Sequence, residues 1–365
     1  MNDRERFVKC VLGEPVDRPP YLLMWGPWGG TWRRWQQEGK PEDADHRSPF
    51  GPDNGPHGLP VNCGPCPKFE YKVLEETDDY VVHTDSWGIV RRDYKHGESM
   101  AGFLEFPVKT RADWERYREE RLNPDDPERL AGDWRESARK WHEQGIPIQL
   151  GYFPDVGVFG SVRWLLGDEE GLIAFHTMPD LVHDIMDHMT SLYLTVFEKV
   201  ARELKSMGVG IDVIHIWEDM CYRNGPLISP EHWVEFMGPH YRRVKTFMGE
   251  YGIPVLSVDT DGNPDLIAQP MIDAGVNLLF PMEVAAGCDV NVWRKKYPSL
   301  ALLGGIDKRA LAQGPEAIDR ELERIRPAVE GGMYVPDLDH LIPDDVSWEN
   351  YCYYARALKK LIGKE

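Results

Sequence analysis

The chain has 365 residues, of which 42% are hydrophobic, enough to bury a sizeable core in one or two domains. A net charge of −19, with no run of Lys or Arg, argues against nucleic acid or anionic membrane as a partner. No stretch is long and apolar enough to span a bilayer, the start MNDRERF lacks a secretion core, and six cysteines make no disulfide scaffold, so a reducing cytoplasm is expected.

Residues 3–12 read as a short amphipathic helix, with Phe7, Val8, Val11 and Leu12 on one face and Gly13 as its stop. Pro15, Pro19 and Pro20 resist helix and lead into a first inner strand, Tyr21–Trp25. The Trp- and Gly-rich run at 26–35 is expected to form a lid or pocket wall, with Trp25, Trp28 and Trp32 as aromatic contacts. Residues 36–70 read as a long loop holding Cys63-Gly64-Pro65-Cys66. That spacing suits a redox dithiol, but no strand precedes it and Pro67 follows directly, so the strand-to-helix setting is missing. A zinc site would need a second ligand pair nearby. Residues 79–94 alternate as an antiparallel hairpin turning near Asp85–Gly88, and 110–143 are charged helical sequence broken at Pro124 and Pro127. These segments are expected to decorate a single domain spanning 1–365, as an N-terminal extension and insertion at about 26–145.

Ile146–Tyr152 reads as the next strand, followed by a loop in which Phe159 faces a pocket, and by helices over 168–176 and 179–206. Ile211–Trp217 is a strand that delivers Glu218 and Asp219 at its end, with His215 as a buried, hydrogen-bonded histidine within it. Ser229 and Pro230 open the following helix in the preferred way, cap then first position. Three more apolar runs, Val255–Val258, Val276–Phe280 and Leu300–Leu303, each end in polar or small residues and alternate with helical patterns. Gly331–Pro336 reads as the last strand. Parallel sheets with crossover helices are built this way. At least seven strands are visible and one more is expected, which favours an (α/β)8 TIM barrel over an open sheet.

In such a barrel the residues just past the strand ends converge on the site. The expected constellation is Glu218, Asp259, Asp261, Glu283, Asp307, Asp339 and His340. Asp259, Asp261, His340 and Glu218 form the expected ligand set for a divalent metal, since one His among carboxylates suits zinc, iron or manganese with a position open for substrate. Without a metal the same acids repel one another and some keep a proton, which equally permits acid chemistry by Glu218, Asp261, Glu283, Asp307 or Asp339.

Five blocks carry a resemblance: RERFVKCVLGEPVDRPP at 4–20, GPLISPEHWVEFMGPHYRRV at 225–244, the GNPDLI turn at 262–267 with Asn263, AAGCDVNVWRKKYPSLALLGGIDKRALAQGPEAI at 285–318, and GGMYVPDLDHLIPDDVSWENYCYY at 331–354. Together they resemble the uroporphyrinogen decarboxylase superfamily, which implies the barrel fold and a homodimer. True decarboxylases of that superfamily carry an early arginine-rich run; here the place reads LLMWGPWGGTWRRW, without it. Corrinoid-linked methyltransferases of the superfamily present His-x-Cys after a middle strand and a later Cys; here Asp259-x-Asp261 and His340 stand there. The resemblance therefore implies a metal-dependent transfer of a methyl group between a small methylated substrate and a corrinoid protein. The alternatives are a porphyrinogen carboxy-lyase, with Asp85 or Asp261 at the pyrrole nitrogens, or a non-catalytic tetrapyrrole-binding relative.

Overall fold

The computed structural model describes residues 1–95 and 100–364. In chain order its elements are α1 (Asp3–Val11), α2 (Gly29–Gln37), β1 (His57–Gly58), β2 (Lys72–Glu76), β3 (Tyr80–Thr84), β4 (Val90–Tyr94), β5 (Gly102–Glu105), α3 (Arg111–Arg121), α4 (Trp134–Gln144) and β6 (Ile148–Leu150). There follow α5 (Phe159–Leu166), α6 (Asp168–Thr177), α7 (Pro179–Ser206), β7 (Val213–Trp217), β8 (Cys221–Tyr222), β9 (Gly225–Pro226), α8 (Pro230–His232), α9 (Gly238–Tyr251), β10 (Val255–Asp259) and α10 (Ala268–Asp273). The chain ends with β11 (Leu278–Phe280), α11 (Val290–Lys296), β12 (Ala301–Ile306), α12 (Lys308–Ala312), α13 (Pro315–Gly331), β13 (Tyr334–Leu338) and α14 (Trp348–Leu361).

The main sheet has seven strands in the order β1-β6-β7-β10-β11-β12-β13, every pair parallel. A separate antiparallel sheet, β2-β3-β4-β5, contains the expected hairpin. Alternate residues of the main strands enter two different cores, as a side-chain period of two requires. Val213, Val255, Leu278, Phe280, Ala301, Leu303 and Val335 point to the inside of the curled sheet. Ile214, Ile216, Leu256, Val258, Leu279 and Leu302 lie in the other core, with the buried residues of α7 and α9. Both faces are thus buried, which is why these strands read as near-continuous apolar runs. Helix α1 closes the end where the strands begin: Phe7, Cys10 and Val11 join the inner core, Cys10 Sγ donates to Tyr334 O at 3.5 Å, and Arg4 pairs with Asp212 at 2.8 Å.

Two expectations about the barrel need correction. Tyr21–Trp25 is not a strand of the sheet, and the sheet does not close by strand pairing. Leu23 adopts a left-handed backbone (φ 50°), which breaks an extended ladder. The segment is held instead by two carboxylates: Asp53 accepts from Tyr21 N at 2.9 Å and Asp337 from Met24 N at 2.8 Å. The unlocated strand is β1, paired with β6 through His57↔Ile148 and Gly58↔Gln149. Cys63 and Cys66 are buried free thiols in a loop, and burial pushes both above the ordinary thiol range. Among the described residues no helix is long and apolar enough to cross a membrane.

Candidate active site

Strand β7 ends in two acids whose backbone sends them different ways. The amides of Glu218 and Asp219 both donate to Asp259 O, at 2.9 and 3.3 Å, and Asp219 takes a left-handed conformation (φ 48°). Glu218 is fully buried against the start of α5, where its carboxyl accepts from Val158 N at 3.1 Å, Gly160 N at 2.9 Å and the Tyr241 hydroxyl at 2.6 Å. Burial pushes it up to about 7 despite these donors. It pins α5 and α9 to the sheet. Asp219 remains at the strand ends, ion-paired with Arg163, which also donates to Asp219 O at 3.1 Å.

Beyond β10 the chain turns at Asp261-Gly262. Gly262 has φ +75°, and a Cβ there would stand 2.5 Å from Tyr222 O, so only glycine fits. The turn sets Asp261 Oδ1 3.6 Å from His340 Nε2, and Gly262 N donates to Glu283 Oε2 at 2.8 Å. Lys308 Nζ stands 3.9 Å from Glu283. The His340 ring stacks on Trp25, with centroids 4.6 Å apart at 23°. Burial, then the charges of Asp219 and Glu283, push Asp261 up to about 7. Burial, then Lys308, lowers His340. The mouth thus places a carboxyl whose ionisation is opposed beside an imidazole whose protonation is opposed, the two groups 3.6 Å apart.

Below it, inside the curled sheet, is a cavity of about 330 Å³, at the small end of the roughly 300–1,000 Å³ range of small-molecule sites. Asp259 lines it together with Trp25, Phe280, His215, Ser257 and aliphatic side chains. Burial, followed by repulsion from Asp261 and Asp219, holds the Asp259 carboxyl well above its ordinary range.

Other expected residues are occupied elsewhere. Asp307 caps α12 and pairs with Arg309 at 2.7 Å; burial opposes its ionisation, but the hydrogen bonds from Arg309 win and lower it. Asp339 is buried, accepting from Val284 N at 3.0 Å and Lys308 N at 3.1 Å, and burial raises it to about 6. Asn263 braces its own turn, donating to Ala286 O at 2.9 Å and accepting from Asp265 N at 3.1 Å. Phe159 is core, stacked on Phe175 at 6.0 Å. Trp28 is the N-cap residue before α2, and Trp32 lies under Lys40, whose Nζ is 4.0 Å from the ring centroid; neither lines the cavity, whereas Trp25 does. Asp85 serves the hairpin turn, accepting from Trp87 N at 2.9 Å and Ile89 N at 3.0 Å.

The expected metal ligands do not gather. Glu218 is spent on α5 and Tyr241, and among the described residues no group of three or more His, Cys, Asp or Glu side chains is placed to hold a metal ion. Among the side chains of that quartet, Asp261 and His340 are the pair recorded within 4 Å, so the residues as placed do not fit a resident four-ligand centre.

Residues 168–361, more than half of the chain, match the family model described as uroporphyrinogen decarboxylase (URO-D). The chain belongs to the URO-D family. Within it, a similar curated protein is the "Uroporphyrinogen decarboxylase" of Rhodococcus erythropolis (strain PR4 / NBRC 100887), 29% identical over 221 residues. That alignment covers 54% of this chain and 57% of the relative, so the chain spans little more than half the relative's length. Among solved structures, a methyltransferase from Methanosarcina mazei superposes with a TM-score of 0.62 over 99% of both chains at 18% identity, a likeness of fold.

The URO-D blocks in the sequence include the Asp261 turn's Gly262, Lys308 and His340, but Asp219 and Arg163 of the mouth lie outside them. Asp219 was visible beside Glu218; the left-handed turn that separates them has no sequence signal in a non-glycine residue. His215 is buried as expected, but its ring stacks on Phe280 (5.5 Å) and has no hydrogen-bonding partner among the described residues.

Proposed function

We propose that this URO-D family member is a methyltransferase, moving a methyl group from a small methylated substrate to the corrinoid of a partner protein. The observation that carries this reading is the charge of the mouth. Asp219, Asp261 and Glu283 surround one imidazole, and the cations present, Arg163 and Lys308, stand beside Asp219 and Glu283. A porphyrinogen with many carboxylate arms needs cations directed at those arms, and like charges at close range cost several kcal/mol, so this mouth disfavours it. A neutral or cationic molecule meets no such penalty. The fold shared with the Methanosarcina mazei methyltransferase is compatible with the reading.

The corrinoid would supply the methyl acceptor; this chain's residues bind, orient and handle the proton. The substrate's methylated end lies against Trp25 and Phe280, whose rings are 6.5 Å apart. As the carbon–heteroatom bond breaks, the heteroatom keeps the bonding pair. Where the heteroatom leaves as an anion, as from an ether, a thioether or a neutral amine, Asp261, backed by His340, delivers a proton to it; from a cationic nitrogen or sulfur it leaves neutral and needs none.

The test is methyl transfer to free cob(I)alamin from a panel of methylated amines, ethers and thioethers, followed by corrinoid absorbance. One class is expected to react in a protein-dependent way. For a class whose leaving group is an anion, Asp261→Asn is expected to slow transfer about 100-fold or more, the usual size of a general-acid contribution, with Tm unchanged. Carbon dioxide release from a porphyrinogen without methyl transfer to cobalt would overturn the proposal.

A further inference from the structure

We infer that the cavity inside the curled sheet is a chamber for a methylated onium group, a quaternary ammonium or tertiary sulfonium ion on a small molecule. This rests on the methyl-transfer reading and adds the substrate class. Asp259, His215 and Ser257 line the chamber with no side-chain hydrogen bond among the described residues, and the buried Trp25 Nε1 in its wall has no partner either. His215 is 7% exposed and Ser257 3%, and the two are paired in register on β7 and β10. Asp259 follows two residues after Ser257 on the same face of β10 and pairs with no cation among the described residues. Arg47, also in the lining, stands 3.7 Å from Asp45 and is 42% exposed.

A carboxyl without a counter-ion in an apolar box is costly to ionise, and the charge that relieves it is one brought by a ligand. The walls say which kind of cation. Trp25 and Phe280 present aromatic rings tilted at 54°, and Leu22, Leu278 and Leu303 add aliphatic surface. Aromatic faces attract quaternary ammonium ions strongly when these are desolvated. An onium ion has methyl groups where a primary ammonium has N–H donors, so on its other sides it takes ring faces and aliphatic surface while Asp259 supplies the counter-charge. The net charge of −19 raises the local concentration of cations. Loss of a methyl group as a methyl cation equivalent leaves the nitrogen or sulfur with the bonding pair, as a neutral amine or thioether. The positive charge that Asp259 held is then gone, which favours release.

The experiment is calorimetric titration of the full chain with choline and with its neutral carbon isostere, 3,3-dimethylbutan-1-ol. Choline is expected to bind at least about 10-fold more tightly, through charge and ring contacts the isostere cannot make. Asp259→Asn is expected to erase that preference, and Phe280→Leu to reduce it several-fold, with Tm measured for each. Should Asp259→Asn fail to fold, Phe280→Leu decides. Equal affinity for the two probes, no binding of either, or a preference untouched by the substitutions would overturn the inference. Choline binding without methyl transfer from any onium, amine, ether or thioether would leave the chamber standing and remove the methyl-transfer reading. Transfer from a methyl ether with no onium binding would do the reverse.

Discussion

Glu218 and Asp261 are pushed up to about 7 alike, mainly by burial, yet they do different work. Asp261 has the His340 ring at 3.6 Å and belongs to the open mouth, whereas Glu218 is enclosed by two backbone amides and a tyrosine hydroxyl. Removing an acceptor that serves buried donors costs roughly 1–3 kcal/mol for each donor left unpaired. Glu218→Ala is therefore expected to lower stability by about 3 kcal/mol or more, read by urea unfolding, while Asp261→Asn leaves the unfolding midpoint near that of the parent chain. The sequence placed both acids beyond strand ends, which was as far as apolar runs and spacing could reach. What parts Glu218 from the mouth is the φ of Asp219 and the docking of α5, neither of which a local pattern encodes. Asp307 shows the same limit: its position was legible, but its commitment to Arg309 and the α12 cap was not.

At the level of elements, β7, β10, β12 and β13 were readable because strands buried on both faces become short apolar runs ending in polar residues. Strand β1 is two residues, His57–Gly58, with neither β-branched residue nor alternation to announce it. Tyr21–Trp25 had strand composition, but Leu23 turns out of the extended region. Helix α1 was legible as amphipathic; what it covers was not, since its partners on β12 and β13 lie far along the chain. Phe7 is 1% exposed and lines the inner cavity as well as the inner core. Phe7→Ala is expected to cost about 3–5 kcal/mol, the usual range for a large aromatic removed from a core, measured by thermal and chemical unfolding.

At the scale of the molecule, Asp53 gathers distant parts of the chain. It accepts from Arg18 at 2.6 and 2.8 Å, from Lys364 at 2.6 Å and from Tyr21 N at 2.9 Å. Burial works against its ionised form, but the hydrogen bonds from Arg18 and Lys364 win and lower it to about 2. An unfolded aspartate titrates near about 3.9. Its folded value is lower, so its contribution is complete above about pH 4 and is lost as pH falls toward about 2. In Tm measured against pH, the parent chain is expected to exceed Asp53→Asn near neutrality, with the gap closing between about pH 4 and about pH 2.

The seam at Tyr21–Trp25 bears on how this scaffold changes over generations. A wall held in a hydrogen-bonded ladder is constrained residue by residue, because each backbone group has a partner on both neighbours. Here one wall of the chamber, including Leu22, Met24 and Trp25, is tethered by the side chains of Asp53 and Asp337. Its backbone can shift without unpicking the sheet's ladder, and the anchoring carboxylates lie outside the segment. The ladder is thereby spared when this wall shifts, while Leu22, buried with the inward side chains of the strands, still ties the wall to the packing of the core.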